Sequence, residues 1–142
     1  MTQLSPHFSL EELVHTDTGL PNSPSVEQGA DLVRLCDTIL EPMRALLGPL
    51  KVNSGFRSQA VNDAIHGAHN SQHMKGQAAD VVPMKQSLEF SFQWIKATTI
   101  PFDQLIIEPS WIHVSVSPPG HPPRRQTLRA HMTDQGMVYE NE

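Results

Sequence analysis

The stretch Ser71-Gln72-His73-Met74-Lys75-Gly76-Gln77-Ala78-Ala79-Asp80 sets an imidazole and a carboxylate seven positions apart. Both are good donors to a divalent cation such as Zn2+. Gly76 and the two alanines between them permit tight turns and close packing. Asp80 runs into the apolar pair Val81-Val82, an odd setting for a carboxylate unless something pairs with it. That something is either a metal or a structural partner, nearby backbone or a lysine. The fragment by itself leaves both readings open.

A second stretch, residues 104–116, supplies another histidine and an acid. Two short apolar runs, 104–108 and 111–116, are separated only by Pro109-Ser110, which predicts a hairpin. Along the second run Ile112, Val114 and Val116 share one face, while Trp111, His113 and Ser115 share the other. A two-residue loop sets Glu108 opposite Trp111 and Ile106 opposite His113. Glu108, Trp111 and His113 therefore look into one space, away from the apolar face, and a cleft is expected there.

Two histidines and an aspartate, with a glutamate beside them, match the needs of a catalytic zinc. Such a site uses three protein ligands and keeps a fourth position for water or substrate. The metal acidifies the water and polarises a carbonyl. A separate carboxylate then carries the proton to the leaving amine, and Glu108 has the chemistry for that task. The bland alternative makes it a rim carboxylate in a turn. The helical H-E-x-x-H pattern of zincins does not occur. A third stretch, Asn53-Ser54-Gly55-Phe56-Arg57-Ser58, places Arg57 where it can pair with a carboxylate or stabilise an oxyanion. Read alone, it is an exposed arginine capping local structure.

These residues need elements to hold them. Ser9 and Glu12 form a capping-box pattern, which predicts a short helix over 9–15. Apolar residues from Leu32 to Leu47 recur at three- and four-residue steps, predicting a scaffold helix over 25–47 that Ser25 caps, Pro42 kinks or splits and Gly48-Pro49 ends. A strand is expected over 50–54. A helix over 59–65 follows, with Val61, Ala64 and Ile65 on one side. An irregular loop over 67–76 leads to a strand over 78–82. An amphipathic helix over 87–97 has Phe90, Trp94 and Ile95 as anchors. After a Pro-rich link over 118–123, residues 126–132 and 137–139 read as a second hairpin. Helices first and strands later suggest an α+β domain on a mainly antiparallel sheet.

The 142 residues suit one domain, with 1–24 as an N-terminal segment and 117–142 as a C-terminal link and hairpin. A net charge of −5 argues against a general nucleic-acid binder, and the one basic pair, Arg124-Arg125, reads as a solvated turn. Cys36, the single cysteine, sits among apolar residues and reads as a buried thiol. The opening MTQLSPHFSL has no basic region followed by an apolar run, so no signal peptide is expected, and no stretch approaches the ~20 apolar residues of a membrane span. Of the eight histidines, His66, His69, His121 and His131 read as surface, and His7 and His15 carry no partner signal.

Together these segments resemble the M15 metallopeptidases, the zinc D-alanyl-D-alanine carboxypeptidases and related phage peptidoglycan endopeptidases. The family pattern S-x-H-x-x-G-x-A-x-D is met at Ser71 to Asp80, W-x-H at Trp111 to His113 and G-[FY]-R-S at Gly55 to Ser58. The opening His7 to Leu13 and the tail Arg124-Arg125-Gln126 resemble its small phage and prophage branch. The resemblance implies a fold related to the hedgehog signalling domain. It implies one Zn2+ held by His73, Asp80 and His113. Glu108 would be the general base, Arg57 would bind the substrate carboxylate or the developing oxyanion, and Ser71, Gln72 and Trp111 would line or support the site. It further implies a peptidoglycan peptide as substrate. The expected protein is a monomer with neither nucleic acid nor membrane insertion, reaching the host wall after phage or prophage release. The rival reading is a non-catalytic, zinc-containing phage structural or wall-binding module.

Overall fold

A computed structural model describes residues 2–142. The chain opens with a small antiparallel pair, β1 (Gln3–Ser5) and β2 (Phe8–Ser9), and the short helix α1 (Leu10–Val14). Ser9 caps α1 and Glu12 closes the reciprocal box, as its spacing predicts. The expected long helix is continuous but not uniform. Helix α2 (Val26–Leu35), capped by Ser25, runs into a π-helical turn at Cys36–Leu40 and then α3 (Glu41–Leu47). Pro42, in the first turn of α3, accounts for the change. Its nitrogen cannot donate to the preceding turn and its ring crowds the carbonyl there, so the wider turn takes up the misfit. Gly48, at φ 85°, ends α3.

The chain continues as β3 (Leu50–Ser54), α4 (Gln59–Ala64), a 3-10 turn (Gln72–Lys75), β4 (Ala78–Pro83) and α5 (Leu88–Lys96). It finishes with β5 (Gln104–Ile107), β6 (Ile112–Ser115), β7 (Gln126–Thr133) and β8 (Gly136–Asn141). Six strands form one sheet in the order β3-β4-β6-β5-β7-β8. All neighbours are antiparallel except β5 and β7. The architecture is therefore α+β on a mostly antiparallel sheet, as expected. The second hairpin joins the same sheet: β6 already occupies one edge of β5, and β7 takes the other in parallel.

Three local expectations are corrected. The anchors of α5 are Phe92 and Ile95; Phe90 and Trp94 are 47% and 40% exposed and meet edge to face at 4.7 Å. At 3.6 residues per turn Phe90 lies about 200° around the helix from Phe92, so only one of the two can face the core. In α4, Val61 is buried, but Ala64 and Ile65 are exposed where the helix ends and the chain turns outward. Arg124-Arg125 is a clamp rather than a solvated turn. Arg124 grips Asp103 through Nε and Nη2, and Arg125 donates to the carbonyls of Lys96, Thr98 and Ile100 while its guanidinium lies 4.2 Å from the Phe102 ring centre. The pair pins the Pro-rich link where it delivers β7 to β5.

Leu32, Leu35, Ile39, Leu40 and Met43 from the long helical segment pack on Val81, Leu105, Ile107, Ile112 and Val114 from one face of the sheet. Cys36 is buried among them, as expected, and burial pushes its thiol up to about 12. No helix among the described residues is long and apolar enough to cross a membrane.

Candidate metal centre

The centre lies on the sheet face opposite this core. Antiparallel pairing of β4 with β6 sets Asp80 beside His113. Pairing of β3 with β4 shifts register between Val52 and Ser54 and puts Ser54 beside Asp80. His73 comes from the 3-10 turn, which Ser71 caps by accepting from the His73 amide. The turn closes through Gly76 at φ 76°, where an added Cβ would lie 2.4 Å from the Gln28 carbonyl oxygen. Only glycine fits both the conformation and the space.

His73 is gripped from the segment after β3. Its Nδ1 donates to the Gly55 carbonyl at 2.7 Å, and its own carbonyl accepts from the Arg57 amide at 3.0 Å. With Nδ1 carrying the proton, Nε2 keeps its lone pair and faces Asp80 Oδ1 at 3.3 Å. His113 Nδ1 faces the same oxygen at 3.0 Å, and the two imidazoles meet edge to face at 5.1 Å. One donor atom from each of His73, Asp80 and His113 falls within 4.8 Å of the others. A tetrahedral ion with bonds of ~2.0–2.1 Å spaces its donors roughly 3.3 Å apart. The donor set and its spacing fit such an ion, with three protein ligands and room for a fourth.

The electrostatics follow from burial and pairing. Burial lowers the pKa of the His73 ring, which favours the neutral form that a metal requires. Burial works against ionised Asp80 too, but the facing imidazoles outweigh it and hold the carboxyl well below the usual range. Arg57 reaches the outer oxygen of this carboxylate: Nη2 donates to Asp80 Oδ2 at 3.0 Å and Nε to Ser54 Oγ at 3.0 Å. The guanidinium expected to face substrate thus also fixes the orientation of Asp80.

All eight site residues expected from the sequence, Arg57, Ser71, Gln72, His73, Asp80, Glu108, Trp111 and His113, line one cavity of about 580 Å3. The hairpin register is the expected one, with Ile106 beside His113 and the Glu108 amide donating to the Trp111 carbonyl at 2.9 Å. Burial raises the Glu108 carboxyl above its ordinary value, partly offset by a hydrogen bond from Tyr139. Gln72 supports the wall, its Nε2 donating to Asp103 Oδ2 and to the Val116 carbonyl.

Gln104, Leu128 and Tyr139 also line the cavity, and sequence reasoning does not find them. Two of these come from the last hairpin, whose parallel docking carries no local signal. His66, His69, His121 and His131 are exposed, as expected. His7 and His15 do have partners: His7 Nδ1 lies 2.7 Å from Glu41, and His15 Nε2 lies 3.0 Å from Asp17.

Fold and site together define an α+β domain whose candidate metal centre offers three donors beside a buried carboxylate. The Peptidase M15 family model matches residues 6–115, and the chain belongs to that family. It is also 50% identical over 44 residues to the zinc D-Ala-D-Ala carboxypeptidase of Streptomyces albus G. That match spans 30% of this chain and 17% of the relative's length.

Proposed function

We propose that the protein is a zinc peptidase that hydrolyses a peptide bond in the stem of peptidoglycan. The observation that carries this reading is the clustering of His73, Asp80 and His113 within 4.8 Å, with Glu108 lining the same cavity. Zinc, held by those three side chains, would supply an acidified water and a polarised substrate carbonyl. Glu108 takes the proton from the attacking water and passes it to the departing amine nitrogen. Its burial suits that exchange, because a raised carboxyl pKa lets one group accept and then release a proton near neutrality. Arg57 holds Asp80 in place and presents positive charge to the substrate's carboxylate or the developing oxyanion. Trp111 and Ser71 bound the space in which the stem peptide would lie.

Two bonds suit this chemistry: the terminal D-alanyl-D-alanine bond, and the L-alanyl-D-glutamate bond cut by lytic endopeptidases. The similarity to a carboxypeptidase favours the first, and a phage or prophage lysis role accords with the second. Purified peptidoglycan is digested with and without chelator and the products weighed. Alanine alone means carboxypeptidase. Stem peptides lacking L-alanine mean endopeptidase. Unchanged peptidoglycan in the presence of zinc would sink the proposal and leave the wall-binding module as the alternative.

A further inference from the structure

Tyr139 is the chain's only tyrosine and lies outside residues 6–115, the segment that matches the family. It reaches the cavity through registers of the sheet's last three strands. Ile107 of β5 aligns with Arg129 of β7, and the next residue, Ala130, aligns with Tyr139 of β8. The phenol is thereby set against the residue that follows Ile107, and its hydroxyl donates to Glu108 Oε1 at 3.1 Å. Tyr139 is 48% exposed and takes no part in the buried core. The bond to Glu108 is its one polar side-chain contact among the described residues.

We propose that Tyr139 is a positioning residue, whose hydroxyl holds one oxygen of Glu108 so that the other stays directed to the centre formed by His73, Asp80 and His113. This rests on Glu108 being the base. A carboxylate end group turns in a broad, roughly two-fold well, and a base works only within hydrogen-bond reach of its proton. A donor on one oxygen narrows that rotation and favours the ionised form over the form that burial promotes. The charges that act on Glu108 besides Tyr139 are His113 and Asp80, and they oppose each other. The phenol keeps its own proton across the neutral range, since burial and the facing carboxylate both push its pKa up.

The test is Tyr139→Phe, which keeps the ring and removes the hydroxyl. Hydrolysis of peptidoglycan should slow by roughly five- to tenfold in kcat with little change in KM, the size of one ordinary hydrogen bond, as suits a phenol that is half in water. The acidic limb of the kcat/KM profile should move to higher pH. In a Glu108→Gln background the same change should slow nothing further. Val138→Ala, on the exposed neighbouring position, controls for loosening of the hairpin and should reproduce neither effect. A readout independent of turnover is the carbon-13 titration of the Glu108 carboxyl, whose midpoint should rise in Tyr139→Phe. An unmoved midpoint overturns the proposal, as does an equal loss in the Glu108→Gln background or an equal effect of Val138→Ala. If the wild type leaves peptidoglycan intact, the functional reading has failed, and the carboxyl titration decides the role of Tyr139 by itself.

Discussion

Glu108 and Arg57 are both charged neighbours of the candidate metal ligands, yet their surroundings differ. Glu108 lines the cavity with Tyr139 as its hydrogen-bond partner, whereas Arg57 is bonded to Asp80. Glu108→Gln should therefore lower kcat by about 10²–10⁴-fold, the ordinary weight of a general base, while zinc content by atomic absorption stays at the wild-type level. Retention of activity would remove Glu108 from the mechanism. Arg57→Lys should behave otherwise. A lysine keeps the charge but lacks the fork that reaches Ser54 and Asp80 together. Zinc affinity should fall by roughly 10–100-fold, as for other partners that orient a metal ligand, in addition to any loss of rate. Titration with a competing chelator measures it.

At the level of elements, the 3-10 turn and the Pro-rich link decide whether the residues meet. Gly76→Ala places a Cβ against the Gln28 carbonyl at a positive φ, with backbone rather than a flexible side chain in the way. The left-handed conformation alone costs a non-glycine residue about 1–2 kcal/mol and the backbone clash adds to it, and zinc affinity should fall as well because His73 rides on the same turn. The link is held by Asp103, which is buried and accepts from the amide and guanidinium of Arg124. Burial would raise the Asp103 carboxyl, but the bonds from Arg124 outweigh it and set it below its ordinary value. The folded pKa is thus lower than the unfolded one. The contribution is complete above the unfolded value and is lost as pH falls through the folded value. Asp103→Asn should cost about 1 kcal/mol at neutral pH, a modest figure because the Arg124 side chain is half in water. The gap to wild type, measured by urea denaturation, should close in acid.

These two elements also mark how far the sequence is legible. The hairpin carrying Glu108 and His113 can be read because strand alternation and a two-residue loop are local rules, and its register is the one observed. His73 and Asp80 can be read as a pair, but their meeting depends on the Gly55 carbonyl and the β3–β4 register shift, which no spacing announces. Arg124-Arg125 misleads because its partners lie some twenty to thirty residues upstream, and charge alone suggests solvent. Phe90 and Trp94 mislead because apolar character says nothing about which of two helix faces wins the core.

Across the whole molecule the candidate metal centre joins parts that the chain keeps apart. His73 sits on the turn between helix and sheet, Asp80 on β4 and His113 on β6, with the segment after β3 holding His73 from behind. Nitrogens of both imidazoles crowd one Asp80 oxygen at 3.0–3.3 Å, a closeness that needs either a shared cation or shared protons. An ion that binds this arrangement and not the unfolded chain stabilises it by mass action, by about 2.7 kcal/mol when free zinc is 100-fold above Kd. For a domain of this size that corresponds to roughly 5–10 °C in Tm. Stripping with chelator should lower Tm by that order, and added zinc should restore it. His113→Ala should lack the response, because two donors hold the ion far less well than three. Glu108→Gln should keep it in full. A Tm indifferent to chelator in the wild type would mean that the three side chains do not share an ion, whatever their spacing.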